Sequence, residues 1–183
     1  YKKLAAKVDY RMAKEDRKVL VITSVSENEG KSTVAANLAI TLAEQSKKVL
    51  LIDGDIRRPS QFLILGMEPK DENELGEYLK GNGTFKDIIM TCPRKHMLFI
   101  GGKNCYSTST ELLSSDSFSK LVKTCRKKVD YIIIDTPPIG LIGDAQLFAH
   151  HADAVMIIAR QNYMLAEDIN EAIDDFRDDG NKV

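Results

Sequence analysis

The sequence contains no tryptophan, only three cysteines and five prolines, and almost no net charge. Each scarcity excludes something. Cys92, Cys105 and Cys125 are an odd number without CxxC spacing, so neither a zinc cluster nor a disulfide framework is expected, and a reducing compartment fits best. Lys plus Arg is 26 against 27 for Asp plus Glu, leaving a net charge of −1. No global field draws such a chain onto nucleic acid, so nucleic acid is not an expected partner. No apolar run approaches the roughly 18 residues needed to span a bilayer, and the basic N-terminus lacks a signal-peptide core. Few glycines and prolines also exclude fibrous or disordered composition.

What remains is 183 residues, 43% hydrophobic and 29% charged, enough for one packed domain. Apolar, β-branched runs recur at 19–23, 49–53, 97–100, 131–135 and 154–158. They are continuous rather than alternating, as in strands buried on both faces. Helical spacing lies between them at 32–45, 118–128, 144–151 and 166–176. This order predicts an α/β fold: a doubly wound, mostly parallel sheet flanked by helices, with ligands at the C-terminal strand ends. Residues 1–18, with seven basic side chains against three acidic, are expected to form a separate N-terminal helical segment. It is read either as a solvated face or as a docking element for a neighbouring subunit or an anionic membrane face. Residues 19–183 form the main domain, and a last strand and tail are expected beyond Val183.

The most informative stretch runs from Val21 through Ser24, Glu29, Gly30, Lys31, Ser32 and Thr33 into an alanine-rich segment. A strand entering a tight loop that opens a helix presents a nest of backbone N–H groups and a helix N-terminus, both suited to phosphate oxygens. Asn28, Glu29, Gly30, Lys31, Ser32 and Thr33 are therefore the candidate nucleotide-binding residues. Lys31 would bridge the β- and γ-phosphates, and the Ser32 hydroxyl would hold Mg²⁺. The first glycine of the usual P-loop pattern is replaced by Val25, so context carries the reading. Two further strands end in acids: Asp53 and Asp55 around Gly54, and Asp135 before Thr136-Pro-Pro138. Asp135 holds the position at which P-loop enzymes keep a metal-binding acid; a turn or helix-cap aspartate is the plainer alternative.

Three segments, Glu29–Thr33, Ile52-Asp-Gly-Asp-Ile-Arg-Arg-Pro59 and Ile134–Pro138, together resemble the Walker A, A′ and B motifs of the bacterial protein-tyrosine kinases of capsule and exopolysaccharide synthesis. These are P-loop relatives of the partitioning and division-site ATPases. The likeness extends through 74–81, 109–115 and 143–148. The resemblance implies ATP-dependent autophosphorylation on tyrosine, with ATP and Mg²⁺ as cofactors. Lys31 and Thr33 would contact phosphate; Ser32, Asp53 and Asp135 would serve the metal. Asp53 would be general base or metal-water ligand, supported by Asp55. It further implies a membrane-embedded chain-length regulator as activator, homo-oligomers, tyrosine-containing protein substrates and a cytoplasmic location at the inner face of the plasma membrane. A nucleotide-dependent switch or scaffold that transfers no phosphate, and a partitioning-type ATPase, are the alternative functions. The second is opposed by Ser26, which stands where those ATPases carry a lysine.

Other residues depart from the family or carry weaker signals. No tyrosine follows Tyr163, whereas the family ends in a tyrosine cluster, so the acceptors lie beyond Val183 or elsewhere. Of the family's Glu-x-x-Arg-x-x-Arg element only Arg11 is kept, with Val8 and Lys14 at the other places and Asp9 as a substitute acid. Arg57 and Arg58 are expected to be solvated; His150, His151 and the cysteines, structural; Tyr131, core. Tyr106 is the local tyrosine to watch as a phosphoacceptor, although surface packing is the simpler expectation.

Overall fold

The computed structural model describes residues 1–70, 73–92, 97–139 and 143–183. In chain order they form α1 (Lys2–Lys14), β1 (Val19–Ser24), α2 (Lys31–Glu44), β2 (Val49–Asp53), α3 (Gln61–Leu65), α4 (Leu75–Leu79), α5 (Phe85–Ile88) and β3 (Met90–Thr91). There follow β4 (Met97–Ile100), α6 (Ser109–Leu113), α7 (Asp116–Arg126), β5 (Tyr131–Asp135), α8 (Asp144–Ala149), β6 (Ala154–Ile158) and α9 (Ala166–Asp178). The strands make one sheet in the order β3-β4-β2-β5-β1-β6, parallel except for the β3–β4 pair. All five expected strands are present, as are the four expected helices, with ends shifted by one or two residues.

The continuous apolar runs are explained by burial on both faces. Alternate side chains sort into two cores. Val19, Val21, Leu50, Ile52, Ile132 and Ile134 face one side, where Phe118 of α7, Phe148 of α8 and Phe176 of α9 cover them. Leu20, Ile22, Val49, Leu51, Tyr131 and Ile133 face the other, under α1 and α2. Each fully buried Leu, Ile or Phe is worth about 1.5–3 kcal/mol, so this double burial supplies most of the stability. On α2, Ala35, Ala36 and Ala39 are fully buried, and such small side chains let the helix lie close on the strands. That closeness sets where its first turn points.

Residues 2–14 form α1, whose Ala5, Val8 and Met12 share one core with Leu20 and Ile22 of the sheet. Asp9 is engaged inside the chain: it accepts a 2.5 Å hydrogen bond from the Tyr131 hydroxyl and pairs with Lys47 at 2.7 Å. It is therefore not a spare acid on the surface. Tyr131 is core, as expected, at 4% exposure. The short elements α3, α4, α5, α6 and β3 were not anticipated; at two to five residues they are too short to show a period. No helix among the described residues is long and apolar enough to cross a membrane.

One carboxylate pins the strand that leads to the loop of interest. Asp153, just before β6, accepts the backbone N–H groups of Lys18 and Val19 at 2.7 and 2.8 Å and pairs with Arg126 at 2.8 Å. Burial alone would raise its pKa, but the Arg126 bond and the two backbone donors outweigh it and hold the carboxyl below its usual value. A depressed carboxylate stabilises the fold above the unfolded pKa near 3.8, and that contribution is lost as pH falls through the lower folded value. Asp153→Asn is therefore expected to lose about 1 kcal/mol at neutral pH, discounted for partial exposure, with the difference from the parent shrinking below pH ~4. Urea denaturation across pH checks this; a deficit that persists unchanged in acid would contradict it.

Candidate nucleotide site

Three loops meet at the C-terminal ends of β1, β2 and β5. The first follows β1. Its turn needs two left-handed residues, Asn28 at φ 61° and Gly30 at φ 89°, the second of which favours glycine because no Cβ opposes it. The loop is held from within by Glu29, a buried side chain whose carboxylate accepts the N–H of Ser26 at 2.7 Å and of Arg160 at 3.2 Å. Lys31 then opens α2, leaving the first-turn N–H groups without helical acceptors.

The second loop carries Asp53, Gly54 and Asp55. Gly54 N–H donates to the Asp135 carbonyl at 2.7 Å. A Cβ at Gly54 would stand 2.7 Å from that carbonyl oxygen and 2.7 Å from the Phe148 ring. Only glycine lets this loop pass so close to the end of β5, which explains the residue between the two acids. Asp53 and Asp135 are register partners on neighbouring strands, 1% and 0% exposed. Asp53 Oδ2 accepts the N–H groups of Ser60 and Gln61 at 2.9 and 2.8 Å. Asp135 Oδ2 accepts from Gln61 Nε2 at 2.7 Å. Their Oδ1 atoms are both buried without any hydrogen-bond partner in the protein.

The electrostatics follow from that burial. Desolvation, reinforced by the Asp135 charge, pushes Asp53 well above the usual carboxylate range. Desolvation also raises Asp135, against the pull of Lys31 and the hydrogen bond from Gln61. Asp55, 6% exposed, is raised by burial too, with Lys31 opposing. Lys31 Nζ lies 3.6 Å from Asp55 Oδ2 and 3.3 Å from the Ser32 hydroxyl. Beside them opens a cavity of about 280 Å³ bordered by Asn28, Gly30, Lys31, Ser32, Thr33 and Asp55, with Arg58, Ser60 and Pro138.

The expected site residues are thus brought together, with differences in role. Asn28, Gly30, Lys31, Ser32, Thr33 and Asp55 border the cavity; Asp53 and Asp135 are sealed next to it. The Glu29 side chain faces its own loop and Arg160, so it braces the loop. Arg58 is solvated as expected, its side chain 75% exposed in an ion pair with Glu27. Arg57 is not. Its guanidinium meets the buried Asp144 at 3.0 Å and the Ser107 carbonyl at 3.1 Å, while Asp144 also accepts from Ser109 and Thr110. Tyr106 is 9% exposed, and its ring lies where a Cβ on Gly76 would intrude. Burial and the charges of Glu74 and Glu77 hold its hydroxyl far above the usual phenol range, so it is a packing residue. His151 packs edge-on against Phe118, a structural role. The residue missed was Gln61, fully buried and bonded to both Asp135 and the Ser32 carbonyl. A glutamine eight residues past a strand-end acid carries no motif of its own.

A parallel sheet whose first strand runs through a Gly-Lys-Ser-Thr loop into a helix, beside two buried strand-end acids, defines a P-loop nucleotide-binding protein. The family described as AAA domain matches residues 17–182. The chain is 32% identical over 181 residues to the tyrosine-protein kinase CpsD of Streptococcus agalactiae serotype III (strain NEM316), covering 97% of this chain and 76% of that protein. The crystal structure of the VpsO kinase domain matches with a TM-score of 0.87 at 28% identity, over 100% of this chain and 92% of that one. An ATP complex of McdA from Cyanothece matches with a TM-score of 0.75 at 25% identity, over 90% and 65%. The chain belongs to the AAA-domain family and, within it, to the tyrosine-protein kinases.

Gly54→Ala tests the crowding at this site. The added methyl group is expected to cost about 1–3 kcal/mol through displacement of the Asp135 carbonyl or Phe148. Chemical denaturation measures it, and a variant as stable as the parent would show that the loop has room to spare.

Proposed function

We propose that the chain is the catalytic domain of an ATP-dependent protein-tyrosine kinase that autophosphorylates and regulates capsular or exopolysaccharide synthesis, and that Mg-ATP binds in the cleft between the 28–33 and 53–60 loops. The observation that carries this reading is the pair Asp53 and Asp135: neighbouring buried carboxylates, each with an oxygen lacking any donor. Such an arrangement is costly unless a cation completes it. Among the described residues no set of three or more His, Cys, Asp and Glu forms a metal cage. Mg²⁺ takes one or two carboxylates and draws its remaining ligands from phosphate and water, so the two acids suffice for it.

On this reading the backbone N–H groups at Gly30–Thr33 cradle phosphate, and Lys31 leaves Asp55 to reach the β- and γ-phosphates. Ser32, Asp53 and Asp135 hold the cation, whose chemistry when bound is neutralisation of charge on the phosphate oxygens. Asp55 borders the cavity and Asp53 does not. Asp55 is thus the carboxylate able to meet a tyrosine hydroxyl, and burial, which raises its pKa, makes it a stronger base than an ordinary aspartate. A membrane-embedded activator and further copies of the chain are the proposed partners, with α1 as the docking element and the inner face of the plasma membrane as the location. Support for α1 comes from its exposed face, which carries Lys2, Lys3, Lys7, Arg11 and Lys14 and no exposed acid.

Co-expression with a candidate membrane activator, followed by mass spectrometry of phosphotyrosine, tests the proposal. Lys31→Met is expected to abolish the signal. Asp55→Asn is expected to lower the rate about a hundredfold or more with nucleotide affinity little changed. Nucleotide binding without phosphotyrosine in the parent would reject the kinase reading in favour of a nucleotide-dependent switch.

A further inference from the structure

Gln61 is the first residue of α3 and is fully buried. Its Nε2 donates to the Ser32 carbonyl at 3.0 Å and to Asp135 Oδ2 at 2.7 Å. Both partners are acceptors, so the amide has one permissible orientation: nitrogen toward them, oxygen away. In that orientation Oε1 is buried and has no donor. Among the described residues, four buried side-chain atoms lack a partner, and three of them are Asp53 Oδ1, Asp135 Oδ1 and Gln61 Oε1. These three residues are linked directly, since Gln61 N–H also donates to Asp53 at 2.8 Å. Three acceptor oxygens without a donor thus belong to one hydrogen-bonded group, on which Lys31 acts from the Asp135 side. Each buried unsatisfied group costs about 1–3 kcal/mol, so their coincidence calls for an occupant.

We infer that Gln61 is a positioning residue for the divalent cation: its amide nitrogen orients Asp135, and its amide oxygen accepts a hydrogen bond from a water in the cation's shell. The inference rests on the Mg-nucleotide reading of this site and extends it to a residue outside the three strand-end and loop motifs. The chemistry favours a water-mediated contact, because Mg²⁺ dehydrates reluctantly and usually keeps several waters. The backbone supports the same role. Ser60 and Gln61 N–H hold Asp53, and the Gln61 side chain holds Asp135, so one short segment fixes both acids. Outer-shell partners of this kind fix ligand orientation, and their loss typically weakens metal binding by about 10–100-fold.

The test measures Mn²⁺ binding to the full chain with ADP present, by electron paramagnetic resonance, alongside ADP binding in excess chelator. Gln61→Met keeps the length of the side chain and removes both amide functions; Gln61→Glu keeps an acceptor oxygen. The expected result is a rise of about tenfold or more in the Mn²⁺ dissociation constant for Gln61→Met. Gln61→Glu, which keeps an acceptor oxygen but loses the donor to Asp135, should bind Mn²⁺ more tightly than Gln61→Met, and metal-free ADP binding should be unchanged in both. A merely structural glutamine would make the two variants fail alike, and equal weakening therefore overturns the inference, as does parental affinity in Gln61→Met. If the parent itself binds ADP but no Mn²⁺, the Mg-nucleotide reading falls and this inference with it.

Discussion

The structure turns on two aspartates that end neighbouring strands in a nearly dry place. Asp53 and Asp135 are register partners, and each is desolvated by the sheet and by the loops around them. Like charges so close cannot both be carried without compensation. The protein supplies part of it through Ser60 and Gln61, and through Lys31, which draws Asp135 toward its charged form. The rest is left open at two carboxylate oxygens. A fold maximising its own stability would place apolar residues there, as it does along the rest of β2 and β5, where Val49–Ile52 and Tyr131–Ile134 are all buried. The site is therefore a local cost carried by the two apolar cores on either side of the sheet.

Keeping such a site in shape requires the loops to be held from behind. Glu29 ties the loop after β1 to the segment after β6 through Ser26 and Arg160. Arg57 ties the loop after β2 to α8 and to the 107–110 segment through Asp144, Ser107 and Thr110. Tyr106 N–H donates to the Ile56 carbonyl, and Glu74 accepts the N–H groups of Lys103 and Asn104. Segments 52–59, 74–81, 106–115 and 143–148, far apart in sequence, thus converge on one scaffold behind the cavity. Asp144 is the tightest point of it. Burial alone would raise its pKa, but bonds from Ser109, Thr110 and Arg57 hold the carboxyl in its charged form, so one buried acid joins three segments.

The sheet and its major helices were legible because burial on both faces writes itself as continuous apolar runs, Val19–Thr23 and Tyr131–Ile134 being plain cases. The phosphate loop was legible as well, even with Val25 in the place of the usual glycine, because strand, loop and helix come in an order that few other sites share. What could not be read was the direction of individual side chains. Glu29, Arg57 and Tyr106 look like loop residues in sequence, yet each is bound by partners more than 40 positions distant or packed on an element 30 residues away. Gln61 was invisible for the same reason, since its partners at Ser32 and Asp135 are brought to it only by the parallel crossovers. Such long-range polar contacts have no periodicity to betray them.

On the Mg-nucleotide reading proposed above, the balance of charge around the cavity favours the joint arrival of metal and nucleotide. Lys31 and Arg58 are the cationic side chains among its lining residues, and Arg58 is largely solvated against Glu27. Facing them are Glu27, Asp55 and, behind, Asp53 and Asp135. A polyphosphate entering alone would meet more acid than base and would be only weakly held, whatever the backbone N–H groups contribute. A divalent cation reverses that balance where the carboxylates are most desolvated, and so where each unit of charge acts most strongly. It also removes the cost of the open oxygens on Asp53 and Asp135. On that reading the same two aspartates make phosphate affinity greater with the metal than without it.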